Sequence, residues 1–214
     1  MTQPGPTPFR PEHFRREDES PDEAFYSDPR LVVHIDDHAI EALRGYLRET
    51  IAPGAEVLDL MSSWRSHLPD EIEYKRVVGL GMNDVELAEN PQLTQRIVQN
   101  LNVDPRLPFA DAEFDVVLCT VSVQYLTRPV EVFAEVARVL RPNGRLVVSF
   151  SNRLFPSKAI ALWRYSNDGD HAQIVMAYLR YAGGYEAIEF VDRSPRLPYS
   201  TDPMYIVTAR RSTG

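Results

Sequence analysis

A chain of 214 residues, 43% hydrophobic and 25% charged, has the make-up of one soluble globular domain with a sizeable core. Its net charge of −8 argues against nucleic acid as a partner, and no run of about 18 apolar residues is present to span a membrane. The single cysteine, Cys119, permits no intrachain disulfide and points to a reducing, cytoplasmic compartment.

Residues 1–24 hold Pro4, Pro6, Pro8, Pro11 and Pro21 among charges, without the apolar stretch of a secretory signal. They are expected to form a disordered or extended arm. In residues 36–51, Ile40, Leu43, Leu47 and Ile51 fall at helical spacing, with Asp36 or Asp37 as N-cap. Two short apolar runs follow, at 55–60 and 76–82, then a short helix from Asp84, then an alternating run at 96–103. Residues 114–121 (FDVVLCTV) are continuously apolar, as in a strand covered on both faces. The stretch 129–140 is amphipathic, with Val132, Phe133, Val136 and Leu140 on one side, and Arg141-Pro142-Asn143-Gly144 ends it in a turn. A strand at 145–151, two helical stretches and strands at 186–194 and 203–211 complete seven strands. Their alternation with helices predicts an α/β fold, a mostly parallel sheet with helices on both faces. Ligands of such sheets sit at the carboxyl ends of the strands.

Two blocks carry a family resemblance. Residues 107–126 (LPFADAEFDVVLCTVSVQYL) resemble the fourth-strand block of class I S-adenosylmethionine-dependent methyltransferases, and residues 135–150 (EVARVLRPNGRLVVSF) resemble the helix, turn and fifth strand. The resemblance covers roughly residues 50–210. It implies a Rossmann-like sheet with the last strand antiparallel, S-adenosyl-L-methionine as cofactor and a small-molecule acceptor. It divides one domain, 25–214, into a lid and helix at 25–52, a cofactor core at 53–151 and an acceptor side at 152–214. The oligomeric state is not legible, and no metal is expected. A catalytically inactive, ligand-binding relative of these enzymes is the alternative.

By that resemblance Asp59 opens the cofactor motif, but Met61, Ser63 and Arg65 stand where the family has glycines. Glycine tolerates positive φ and close backbone approach, which these residues mostly do not, so the loop is expected to avoid glycine-only conformations. Ser62 and Ser63 either cap a following helix or, with its N–H groups, receive the cofactor carboxylate, which Arg65 can pair. At the second strand end, where a carboxylate normally takes the ribose, stand Met82 and Asn83; Asn83 either binds a hydroxyl or caps the next helix. Leu101 and Asn102 fall near the adenine, and Cys119, Thr120 and Val121 near the sulfonium. For catalysis the candidates are His34 and Asp37 in the HIDDH cluster (34–38), and Tyr125 through its ring. Arg153 is a candidate for recognising an anionic acceptor.

Overall fold

Seven apolar runs of the sequence pair into one sheet in the computed structural model, which describes residues 7–213. In chain order the elements are α1 (Asp22–Phe25), α2 (Asp37–Thr50), β1 (Glu56–Ser62), β2 (Arg76–Gly81), α3 (Asp84–Ala88), β3 (Gln95–Val98) and β4 (Phe114–Thr120). There follow α4 (Pro129–Val139), β5 (Leu140–Phe150), α5 (Ala161–Arg164), α6 (Asp168–Ala182), β6 (Tyr185–Asp192) and β7 (Tyr205–Arg211). The strands lie in the order β3-β2-β1-β4-β5-β7-β6. Pairings among β1 to β5 are parallel, and β7 runs antiparallel to both β5 and β6. The strand order reverses between β1 and β4, so a crevice opens at their carboxyl ends.

Alternation along each strand divides the core into two layers. Leu58, Leu60, Val117, Cys119, Leu146 and Val148 pack on one face beneath α4 and α6. Val57, Val77, Val116, Leu118 and Val147 pack on the other against Ala39, Leu43, Tyr46 and Leu47 of α2. This two-sided burial explains why Val116–Cys119 in the middle of the FDVVLCT run are all apolar. The Asp36 carboxylate caps α2 by accepting from the Ala39 N–H at 2.9 Å, and Asp36 and Asp202 exchange backbone-to-carboxylate bonds of 3.0 and 2.7 Å. The start of α2 is thereby tied to the segment entering β7.

Several expectations are corrected. Residues 63–75 between β1 and β2 contain no helix, so Ser62 and Ser63 have no helix to cap. Pro69 interrupts this stretch and its apolar residues show no helical stripe, so hydrogen-bonded side chains hold it instead. Strand β3 is shorter than the alternating run, and β5 extends back through the expected turn at 141–144, with a register irregularity and Asn143 at φ 63°.

The start of the chain was expected to be disordered or extended; from residue 7 it packs along the carboxyl edge of the sheet, and residues 1–6 lie outside the described part. Phe9 packs 4.9 Å from Tyr178 of α6, ring to ring. The buried Lys158 ammonium receives this segment: it lies 2.8 Å from the Ser20 carbonyl, 3.1 Å from Asp18 and 3.4 Å from Asp22. Arg16 pairs with Asp22 at 2.5 Å. Charges that suggest disorder in sequence are here mutual partners. No helix among the described residues is long and apolar enough to cross a membrane.

Candidate active site

The crevice is a cavity of about 480 Å³, within the range of roughly 300–1,000 Å³ that holds cofactors and drug-sized ligands. Its floor comes from the strand ends: Asp59 and Met61–Arg65 after β1, Leu80–Met82 after β2, and Thr120–Ser122 after β4. Leu101 and Asn102 close one side. Arg30 and Val32–Ile35 from the N-terminal segment form the roof, together with Tyr125, Leu154 and Phe155.

The glycine-free loop does adopt glycine conformations, against expectation. Met61 has φ 57°, His67 φ 55° and Val121 φ 50°, and all three line the cavity. Left-handed backbone is costly for these side chains, most of all for β-branched valine, and such strain gathers at functional sites. Met61 is the extra residue of an irregularity in the β1–β2 register, which resumes with Ser62 opposite Gly81. There a close approach does require glycine: a Cβ on Gly81 would overlap the Ser62 carbonyl oxygen. The need for a missing side chain has moved from β1 to β2.

A polar network fixes the loop. Ser62 Oγ donates to Asp59 at 2.6 Å, and Ser63 Oγ donates to Glu86 at 2.6 Å. Asn90 donates to Ser66 Oγ and to the Ser63 carbonyl, both at 2.9 Å. The serine protons are thus directed at carboxylates, while their oxygens keep further accepting capacity. Burial pushes the Asp59 carboxyl up to about 6, with Ser62 and Ser66 pulling it back down. Burial also pushes His67 down to about 4, helped by the charges of Arg44 and Arg65. The Arg65 guanidinium stacks 4.2 Å from the Trp64 ring, whose N–H donates to the Val32 carbonyl at 2.9 Å.

Of the residues expected at the cofactor, Asp59, Met61, Ser62, Ser63, Arg65, Met82, Leu101, Asn102, Thr120 and Val121 line the cavity. Asn83 and Cys119 do not. The Asn83 side chain accepts from the Val85 and Glu86 N–H groups and donates to the Tyr26 and Ser27 carbonyls, which uses its amide fully. Cys119 is enclosed beside Ser122, and burial pushes its thiol up to about 12. The Asn102 amide is also spent: it donates to Asp22 and the Tyr125 carbonyl and accepts from the Thr127 N–H. Only backbone remains there to read a base.

Among the expected catalytic residues, His34 and Tyr125 line the cavity, and Asp37 is exposed at the start of α2, outside it. His34 precedes the helix and His38, within it, meets the Tyr199 hydroxyl at 3.1 Å, so the two histidines do not share a helix face. Tyr125 Oη accepts the Phe155 N–H at 2.8 Å, and burial raises its phenol. Arg153 is 61% exposed and pairs with Asp202.

Sequence reasoning missed Glu86. This carboxylate in the first turn of α3 lines the cavity, accepts the Arg30 main-chain N–H at 2.7 Å and receives the Ser63 hydroxyl. The spacing Asn83-x-x-Glu86 is that of a capping box, in which the glutamate folds back on the cap. Here Asn83 caps alone and leaves Glu86 free to face the cavity, at the end of the sheet where a carboxylate was expected after β2.

Residues 64–148 match a family model described as a methyltransferase domain. That stretch is thus similar to a methyltransferase domain, and the sheet around it has the Rossmann-like fold of such proteins. The match begins at Trp64, so only the first part of the atypical loop, Asp59–Ser63, lies outside it. Over 61 residues the domain is 46% identical to the ubiquinone/menaquinone biosynthesis C-methyltransferase UbiE of Roseobacter denitrificans, a stretch of 28% of this chain and 24% of that protein. The chain thus matches about a quarter of the length of that curated relative. Among solved structures, the cyclase SpnF superposes with TM-score 0.63 at 17% identity, over 90% of this chain and 92% of that one. An S-adenosylmethionine-dependent methyltransferase from Mesorhizobium loti superposes with TM-score 0.56 at 17% identity, over 79% of this chain and 98% of that one. At these identities the structures show the fold.

Proposed function

We propose that the protein binds S-adenosyl-L-methionine in this cavity and transfers its methyl group to a small-molecule acceptor. The observation that carries the reading is the placement of two carboxylates, Asp59 and Glu86, with three residues in left-handed backbone, around one cavity at the switch point of the sheet. Glu86 supplies the acidic acceptor for the ribose hydroxyls that Met82 and Asn83 do not. Met82 and Leu101 offer apolar surface for the base, and Arg65 on its Trp64 shelf offers a cation to the carboxylate.

When bound, the cofactor supplies a methyl group activated by a sulfonium. The protein's part is then alignment and exclusion of water, because a near-attack arrangement of the reactants provides much of the rate. Arg30, Val32–Ile35, Leu154 and Phe155 cover the cavity for that purpose.

A second reading, a ligand-binding protein that performs no transfer, is favoured by one specific observation. With no helix after β1, the N–H groups that would meet the cofactor carboxylate are missing. Titration of melting temperature with S-adenosylmethionine and S-adenosylhomocysteine tests the cofactor reading, since a ligand of the folded state raises it with concentration. A concentration-dependent rise supports the proposal, and a flat response to both compounds overturns it. Transfer from labelled cofactor to a metabolite extract then separates the enzyme from the ligand-binding reading.

A further inference from the structure

We propose that the acceptor end of the cavity takes a planar aromatic carboxylate. This rests on the cofactor reading above and narrows its acceptor. The roof of the cavity includes Arg30, His34, Tyr125 and Phe155. The rings of His34 and Phe155 meet edge to face at 5.0 Å, and those of Tyr125 and Phe155 lie 5.9 Å apart. The Arg30 guanidinium carbon lies 4.5 Å from the centre of the Phe25 ring and 5.7 Å from that of Phe155. The roof thus offers aromatic surface around a fixed cation, which suits a flat ring bearing negative charge.

Among the described residues no carboxylate pairs with the Arg30 guanidinium, whereas Arg16 and Arg153 are paired with Asp22 and Asp202. Its Nη2 donates to the Phe25 carbonyl at 2.9 Å, while Nη1, shielded from solvent, meets no hydrogen-bond partner. Glu86 takes only the main-chain N–H of Arg30. In a protein of net charge −8, an unneutralised guanidinium beside a cavity is a position for an anion. A carboxylate matches its forked donors, and a small side-chain movement brings Nη1 to it.

The chemistry of the roof agrees. Of the expected bases only His34 stands at this roof, and it is a weakened one. Asp37 is outside the cavity, Tyr125 Oη is bound to the Phe155 N–H, and burial lowers the basicity of His34. An acceptor that arrives ionised has no proton to lose. Its carboxylate oxygen forms a bond to the methyl carbon as the methyl–sulfur bond breaks, and that electron pair stays on sulfur. Cation and anion become a neutral thioether and a methyl ester, and no proton moves.

Benzoate and its neutral analogue benzamide probe this with the full chain saturated by S-adenosylhomocysteine. Benzoate is expected to raise the melting temperature beyond the cofactor product alone, with an apparent affinity about tenfold above that of benzamide. Arg30→Met should keep the shift from S-adenosylhomocysteine and lose the benzoate increment, and Arg30→Lys should keep part of it. Equal responses to benzoate and benzamide, no response to either, or a folded Arg30→Met protein that still responds to benzoate would overturn the proposal. Should Arg30→Met not fold, the comparison of benzoate with benzamide on the parent protein decides. A missing shift with S-adenosylhomocysteine alone would instead remove the cofactor reading, and this proposal with it.

Discussion

Met61 is a long side chain held at φ 57°, where glycine would be at ease. Left-handed backbone costs an L-residue about 1–2 kcal/mol, so the usual preference for alanine over glycine should invert here. Met61→Gly and Met61→Ala lose the same contacts apart from one methyl group, and the glycine variant is predicted to be more stable by about 1 kcal/mol in urea unfolding. Two titrating neighbours give a second test. The folded-state pKa of Asp59 is raised from 3.8 to about 6, so the folded state binds more protons in that interval and the Asp59 contribution falls as pH rises. His67 is lowered from 6.5 to about 4, so the unfolded state binds more protons and the His67 contribution rises with pH. The two slopes oppose each other across the same window. Asp59→Asn is predicted to make stability climb more steeply with pH in the mildly acidic range, and His67→Asn to make it fall; urea midpoints across that range read both. None of this strain was legible from sequence, because methionine and histidine give no sign of left-handed backbone.

The strands and long helices were legible because their apolar periods are strong. Val132, Phe133 and Val136 and, on the other face, Leu43 and Leu47 are buried as their spacing requires. The missing element between β1 and β2 was hidden by a homologous expectation: the family's helix was assumed where Pro69 and an aperiodic stretch argued otherwise. At Asn83 two roles fitted the sequence, and only the count of its hydrogen bonds separates them. Replacing Asn83 by Ala is therefore predicted to cost about 1 kcal/mol of stability through its cap, more as the Tyr26 and Ser27 carbonyls lose a donor. It should leave S-adenosylhomocysteine affinity within about twofold. Glu86→Gln is predicted to weaken that affinity about tenfold, the loss expected for a hydrogen bond to a charged acceptor. Calorimetric titration of both variants distinguishes the two positions.

At the scale of the molecule, residues 9–36 run along the whole carboxyl edge of the sheet. They touch α6 at Tyr178, Lys158 beyond β5, Asn102 after β3, Asn83 and Glu86 at α3, and Asp202 before β7. Composition suggested an unstructured arm because prolines and charges rarely build a core. The pairing of Asp22 with Arg16 and with Lys158, the latter far away in sequence, is what composition does not report. Removing Asp22 leaves Lys158 only Asp18 and Arg16 only the exposed Glu19 as counter-ions, so Asp22→Ala is predicted to destabilise the protein by about 3 kcal/mol and to expose Arg15 and Arg16 to trypsin. The same belt closes the cavity, so the account stands on what the cavity holds. A crystal structure of the protein grown with S-adenosylhomocysteine tests that most directly. The account predicts the ligand between the Asp59–Arg65 loop and Met82–Glu86, its ribose hydroxyls within hydrogen-bond reach of the Glu86 carboxylate; an empty cavity at saturating ligand, or a ribose held elsewhere, would contradict it.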